Sequence, residues 1–367
     1  MTKLETLIRK LCSDGVVFVK LGDVLGYEQP TKYIVKCKEY QDRGLPVLTA
    51  GQTFILGYTD EQDGIFEASK ENPVVIFDDF TTSFHWVDFN FKVKSSAMKM
   101  LRVQSKKEVS FRFVYYAMKC IKYQTLEHSR QWISKYSQIE IPLPPIEVQT
   151  EIVRILDKFT ELEAELEAEL DCRKRQYEYY RDKLLSFDNV GGQDVEWKKM
   201  SEVCKIMNGK DYKHLPNGDI PVYGSGGIMT HINEYAYNKP SVLIPRKGSI
   251  GNLFYVDEPF WTVDTIYWTK INENVIRPKF LYYFMTTKDL TKMNMAAGVP
   301  SLTQSMLNKI KLPIPPLAEQ ERIVSVLDRF ESLTTSLTAG LPAEIAARRQ
   351  QYEHYRDKLL TFKRKSA

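Results

Sequence analysis

The segment QYEYYRDKLLSF at 176–187 returns as QYEHYRDKLLTF at 351–362, changed only at Tyr179/His354 and Ser186/Thr361. Upstream of it, IEIPLPPIEVQTEIVRILDKF (139–159) has the counterpart IKLPIPPLAEQERIVSVLDRF (310–330). A chain that repeats two such blocks in the same order is a duplicated unit, and any fold it adopts has to accommodate both copies. In each copy a proline pair, Pro144/Pro145 or Pro315/Pro316, stands before a helical pattern. Proline suits the start of a helix and is excluded from its interior, so each pair marks a boundary. Beyond it, apolar residues recur at steps of three and four, the spacing of a helix seam. In the first copy these are Ile152, Ile155, Phe159, Leu162, Leu166, Leu170, Tyr177, Tyr180 and Leu184. In the second they are Ile323, Val326, Phe330, Leu333, Leu337, Leu341, Ile345, Tyr352, Tyr355 and Leu359. The second copy holds one extra step of four, so the offset grows from 171 (139 to 310) to 175 (176 to 351). A helix absorbs such a stutter with little change of phase. The first helix also carries a tetrapeptide repeat, ELEAELEAEL (161–170), where the second has SLTAGLPAEIAARR (336–349) and Pro342 predicts a kink or break.

The segments between the helices match more weakly. FVKLGDV (18–24) pairs with WKKMSEV (197–203), GLPVLTAGQ (44–52) with DIPVYGSGG (219–227), and FRFVYYAMK (111–119) with PKFLYYFMT (278–286). Short β-rich runs with Gly, Asp and Asn turns predict strands there, and the last pair reads as a packing helix. The expected class is α+β: two related globular domains separated by two long antiparallel helices, with a pseudo-twofold, nearly circular internal repeat. The expected boundaries are an N-terminal helix at 1–15, a first domain at 16–146, a first helix at 147–187, a second domain at 188–317, and a second helix with its tail at 318–367. Antiparallel helices with Gln149 near Phe362 bring Glu161 and Glu163 to Arg348 and Arg349. A loose salt-bridge cluster is expected there, worth roughly 0–1 kcal/mol per pair.

Several function classes fall away on composition. Five scattered cysteines and five scattered histidines give no metal-ligand or disulfide spacing. GxSxG and P-loop motifs are absent, as are an [ND]PP[YF] motif and a Gly-rich cofactor loop, which argues against a self-contained enzyme. No apolar run approaches membrane-spanning length and the start lacks a signal-peptide pattern, so the expected location is cytoplasmic. A net charge of +4 permits nucleic-acid binding but predicts weak binding by this chain alone.

The PPxxxQxxIVxxLDxF pattern and the QYExYRDKLLxF block, each present twice and alternating with divergent domains, resemble the specificity subunit of type I restriction-modification systems. The likeness covers essentially the whole chain. It implies a non-catalytic subunit in which each divergent domain is a target recognition domain reading one half of an asymmetric, bipartite DNA site. The helices would set the gap between the halves and dock two adenine methyltransferase subunits, to which restriction subunits add. S-adenosylmethionine, ATP and Mg2+ would then sit on partners, with no cofactor in this chain. The alternative from another class is a duplicated coiled-coil scaffold that binds protein or RNA.

Base reading needs side chains with paired donors and acceptors, chiefly Arg, Lys, Asn and Gln, assisted by Ser and Thr. In the second domain IPRKGSIGN (244–252) offers Arg246, Lys247, Ser249 and Asn252, either as a phosphate-approaching loop or as an ordinary basic hairpin. YGSGG (223–227) contributes Tyr223 and Ser225 as a close-approach loop or a simple turn. Ser301, Thr303 and Gln304 are possible readers, although SLTQ also suits a helix N-terminus. In the first domain the candidates are Thr49, Gln52, Thr81, Thr82, Ser83, His85, Lys92 and Lys94, with Arg130, Gln131 and Lys135 at the place matching SLTQSMLNK. Asp78 and Asp79 read better as turn residues than as metal ligands. On the helices, Ile152, Phe159, Ile323 and Phe330 belong to the seam or a partner surface. For Tyr177, Tyr180, Tyr352 and Tyr355 seam packing is favoured over partner contact. Arg181, Lys183, Arg356 and Lys358 are read as exposed, contacting partner or phosphate.

Overall fold

The computed structural model describes residues 2–51, 53–104, 108–125, 129–187, 195–293, 301–336 and 340–365. The chain divides into two compact units, Met1–Glu165 with Ala346–Ala367, and Leu166–Ile345.

The first unit opens with helix α1 (Lys3–Leu11), β1 (Val17–Lys20), the one-turn α2 (Leu21–Val24) and β2 (Leu25–Glu28). Strands β3 (Leu45–Leu48), β4 (Ile55–Thr59), β5 (Val74–Asp78), β6 (Phe84–Val87), β7 (Lys92–Val93) and β8 (Met98–Val103) follow. Helix α3 (Phe111–Lys119), β9 (Glu140–Leu143) and the start of the 41-residue α4 (Ile146–Ser186) complete it. One antiparallel sheet runs β2-β8-β5-β6 and a second runs β4-β3-β7, with β3 and β7 parallel. Strands β1 and β9 pair Val17 with Leu143 through Lys20 with Glu140. Four consecutive buried residues in β5 show why it sits mid-sheet: VVIFD is apolar on both faces.

The second unit repeats this plan: β10 (Glu196–Lys199), α5 (Met200–Val203), β11 (Cys204–Asn208), β12 (Asn217–Gly224), β13 (Gly227–Ile232), β14 (Ser241–Pro245), β15 (Phe254–Val256), β16 (Trp261–Thr262) and β17 (Ile266–Ile271). Then come α6 (Pro278–Thr286), α7 (Gln304–Asn308), β18 (Lys311–Ile314) and α8 (Leu317–Thr335); the helix that follows, α9 (Leu341–Leu359), belongs to the first unit from Ala346 onward. Its sheets run β11-β17-β14-β15 and β13-β12-β16, the same orders as in the first unit. The packing helices expected at 111–119 and 278–286 are α3 and α6.

The PPxxxQ motif works inside each unit. Gln149 is 1% exposed; its Nε2 donates to the Pro144 carbonyl at 2.7 Å, and its Oε1 accepts the Ser110 N–H at 2.9 Å, just before α3. Gln320 repeats this with the Pro315 carbonyl at 2.8 Å and the Arg277 N–H at 2.7 Å, just before α6. The aspartate of LDxF adds a second tie. Asp157 accepts the Tyr116 hydroxyl at 2.5 Å and the Arg112 guanidinium at 2.8 Å. Asp328 accepts the Tyr283 hydroxyl at 2.5 Å and the Lys279 ammonium at 2.9 Å. The duplicated blocks therefore clamp each long helix to the packing helix of its own unit.

Ile152 and Ile323 are fully buried in the cores of their own units, in the same clusters as Leu156 and Leu327, and each core also takes in the other long helix: Tyr352, Leu359 and Leu360 in the first unit, Tyr177, Leu184 and Leu185 in the second. Ring stacking extends this seam. In the first unit Phe159 stacks on Tyr355 with centroids 5.5 Å apart and lies 6.5 Å from Tyr352, while Glu163 pairs with Arg349. Partner numbers fall as residue numbers rise, so the two helical stretches of that unit are antiparallel. In the second unit Tyr180 stacks on Phe330 at 5.8 Å, and Tyr177 joins the same core. The salt bridge falls on Arg349, while Arg348 hydrogen-bonds Gln351. The break in the second helix lies before Pro342. Helix α8 ends at Thr335, α9 begins at Leu341, and Pro342 occupies the first turn, where its missing N–H leaves no bond unmade. Leu337 lies outside the described residues.

Candidate nucleic-acid interface

In the second unit, backbone pairing draws three loops together. The Arg246 N–H donates to the Thr265 carbonyl, and the Arg246 carbonyl accepts the Leu302 N–H at 2.9 Å. Lys247 and Ser301 form a bridge between the same segments. The Asn252 amide donates to the Ser225 carbonyl at 3.3 Å, joining the β12–β13 turn to the basic loop. Gly248, at φ +76°, supplies a left-handed conformation that a side chain would resist, and a Cβ there would stand 3.3 Å from Ser225 Oγ. The Gln304 Nε2 donates to Asn208 Oδ1 at 3.1 Å, which orients the amide. The backbone segments that carry Ser225, Arg246, Lys247, Ser249, Asn252 and Ser301 are thus drawn together, with Gln304 two residues beyond Leu302. Asn208 is an addition: it ends β11 and carried no motif that could single it out.

Two candidates of that unit have other work. Tyr223 is buried and packs against Phe254 with centroids 5.8 Å apart. Thr303 caps α7, its hydroxyl accepting the Met306 N–H at 3.3 Å, which settles SLTQ as a helix start. Arg246 is half-buried with its guanidinium 5.8 Å from the Tyr267 ring centroid, while Lys247 projects into solvent.

The first unit builds the corresponding surface by different chemistry. The Asp78 carboxylate accepts the N–H groups of Phe80 and Thr81, each at 2.8 Å, and sets a turn over Thr81–Ser83. Asp79 Oδ1 accepts the Trp132 N–H at 2.8 Å, and its carbonyl accepts the Gln131 N–H, as Arg246 accepts Leu302 in the other unit. These bonds fix both aspartates as turn and loop anchors. Buried Lys99 lies 3.4 Å from Asp79. The Lys94 N–H donates to the Leu48 carbonyl, placing its exposed side chain beside the loop that begins at Thr49. Arg130 and Lys135 are exposed. Thr49, Thr81, Thr82, Ser83, Lys94, Arg130 and Lys135 remain as candidates, and Gln52 lies outside the described residues.

Three first-unit candidates are corrected. Lys92 is 1% exposed, paired with Glu61 at 2.8 Å and bonded to the Asp63 carbonyl, so it ties strand to loop. Gln131 is fully buried, accepting the Tyr123 hydroxyl and donating to Ser129. His85 stacks on Phe54, and its Nε2 lies 3.0 Å from the Gly51 carbonyl, which can only accept, so that nitrogen carries the proton. Burial lowers the His85 pKa and keeps the ring neutral, making it a brace for the loop.

On the helices, Arg181 and Arg356 are half-buried. Each pairs with the following aspartate and lies over the ring of Tyr177 or Tyr352, 5.7 Å from its centroid. They brace the tyrosines, whereas Lys183 and Lys358 are exposed as expected. Among the described residues no group of three His, Cys, Asp or Glu could hold a metal, and no helix is long and apolar enough to cross a membrane.

The family model for the type I restriction modification DNA specificity domain matches this chain twice, over residues 13–171 and 192–347. The specificity subunit of the type I restriction enzymes EcoR124I/EcoR124II of Escherichia coli is 41% identical, over 99% of this chain and 98% of its own. That of the E. coli enzyme EcoprrI is 33% identical over 54% of this chain and 52% of its own. Among solved structures, the S subunit of a type I restriction-modification system from M. genitalium shares the fold with a TM-score of 0.60 at 18% identity, covering 94% of this chain and 96% of that one. The duplicated helix blocks, the twice-built loop surface and these matches agree: the chain belongs to the specificity subunits of type I restriction-modification enzymes, the part that recognises DNA and catalyses nothing itself.

Proposed function

We propose that each unit reads one half of an asymmetric split DNA site, and that the long helices set the gap and dock two adenine methyltransferase subunits, to which restriction subunits add. The observation that carries this reading is the recurrence of one loop surface at one topological place in both units. The loop after β5 or β14 is hydrogen-bonded to the segment before β9 or β18, with different side chains each time. A shared frame with unlike side chains is what reading two unlike half-sites requires. The expected domain limits, 16–146 and 188–317, belong to this proposal, as do the readers Thr49, Thr81, Thr82, Ser83, Lys94, Arg130 and Lys135 in the first unit and Ser225, Arg246, Lys247, Ser249, Asn252, Ser301 and Gln304 in the second. S-adenosylmethionine, ATP and Mg2+ are assigned to the partners, and the setting is the cytoplasm, where the DNA lies.

The test is coexpression with the methyltransferase encoded beside it, followed by single-molecule mapping of methylated adenines. An asymmetric two-part motif that requires this chain is the expected result. No complex and no methylation would favour the scaffold alternative.

A further inference from the structure

The β12–β13 hairpin of the second unit leaves two large apolar side chains in solvent, Ile228 at 54% and Met229 at 58% exposure. They stand at a β-bulge, where Tyr223 pairs with Ile228 and Val222 with Thr230, so Met229 is the extra residue and the ribbon carries uncovered apolar side chains near its tip. The tip itself is slim. Gly224 pairs with Gly227 across a two-residue turn, and a Cβ at Gly226 or Gly227 would meet nothing within 4 Å. Met229 lies across Gly224, where a Cβ would come within 2.6 Å of its sulfur, so glycine there gives the thioether its seat. The Ser225–Asn252 hydrogen bond then holds this tip against the loop of Arg246 and Lys247.

Large apolar side chains held together in water on a protruding element mark a binding surface. Their setting, a narrow ribbon tip beside cations and open backbone, favours DNA over a protein partner. The major groove is about 12 Å wide and admits a two-stranded ribbon, while the minor groove at about 6 Å does not. In the major groove the apolar feature of a base edge is the thymine 5-methyl group.

We propose that this hairpin enters the major groove of the half-site read by the second unit, and that Ile228 and Met229 read thymine methyl groups there. The proposal rests on the DNA-reading function above and adds its chemistry: at least one A·T pair is recognised by apolar contact instead of hydrogen bonding.

The experiment uses the full complex with its methyltransferase and a duplex carrying the mapped site. Each thymine of that half-site is replaced in turn by deoxyuridine, which deletes the methyl group and keeps every hydrogen-bonding group. Binding is measured at one fixed salt concentration. Burial of one methyl group predicts a roughly fourfold loss at one or two positions. In Ile228→Ala or Met229→Ala that sensitivity disappears, while deoxyuridine in the other half-site acts on variant and wild type alike. Both side chains are exposed, so the variants fold, and matched thermal melts verify it. A mapped half-site without thymine, no sensitive position, or sensitivity unchanged in both variants overturns the proposal. So does loss of the methyltransferase from Met229→Ser in the absence of DNA, which marks a protein interface. Absence of any mapped motif would instead defeat the DNA-reading function.

Discussion

Thr82 holds φ at +60°, a conformation that costs a β-branched residue of the order of 1–3 kcal/mol, at the tip of the turn set by Asp78. Thr82→Gly is expected to stabilise the protein by about 1 kcal/mol, read as a higher denaturation midpoint. If the strain serves reading, the same variant weakens binding to the first half-site alone. A second residue-scale prediction concerns pH. Arg154 and Lys3 hold the Glu151 carboxyl down at about 2. A depressed carboxyl contributes its stability above its unfolded value, about 4.3, and loses it as pH falls towards the folded value. The thermal midpoint should therefore fall more steeply below about pH 4.3 in wild type than in Glu151→Gln, and parallel curves would refute the assignment. Residue roles were the least legible part of the sequence. Lys92 and Lys94 look alike there, yet Glu61, well upstream in the chain, engages the first in the interior and leaves the second in solvent. Gln131 and Arg130 are separated the same way, by a buried network that local spacing does not encode.

Elements were far more legible, because proline pairs and three-four spacing act locally. Helix starts after Pro145 and Pro316, the packing helices α3 and α6, and the interruption near Pro342 all follow from them. The location of that interruption does not. Gly340 takes φ +80°, and a Cβ there would meet the Ser332 and Leu333 carbonyl oxygens at 2.7 Å, so glycine marks the break and proline begins the next helix. Nor does the apolar pattern reveal the buried glutamines, since a polar residue within a helical block reads as solvent-facing. Their duplication at equivalent places was the available signal. Gln320→Leu leaves the Arg277 N–H and the Pro315 carbonyl without their partner and is expected to cost about 2 kcal/mol. Glu319, one position earlier, pairs with Arg322 on the solvent side of the same helix start and serves as the control. Chemical denaturation of Gln320→Leu against Glu319→Gln separates the two: the first should shift the midpoint clearly and the second by a few tenths of a kcal/mol.

At the scale of the molecule, the duplication was readable, and with it the paired units, while the frame inside each unit depends on sheet orders that short strands do not announce. Helix α4 is unbroken from Ile146 to Ser186, and ELEAELEAEL lies within it. Deleting one ELEA copy leaves the flanking sequence in register with itself, because the repeat restores a glutamate where Glu163 stood. The deletion shortens the helix by about 6 Å and turns it by about 40°. At about 3.4 Å per base pair, the mapped gap should shrink by roughly one or two base pairs. Both half-site sequences should stay the same, because the loop surfaces that read them lie outside the repeat. An unchanged gap would mean the helix is not the spacer. A changed half-site would mean that the helix takes part in reading bases, and the assignment of all reading to the loop surfaces would have to be abandoned.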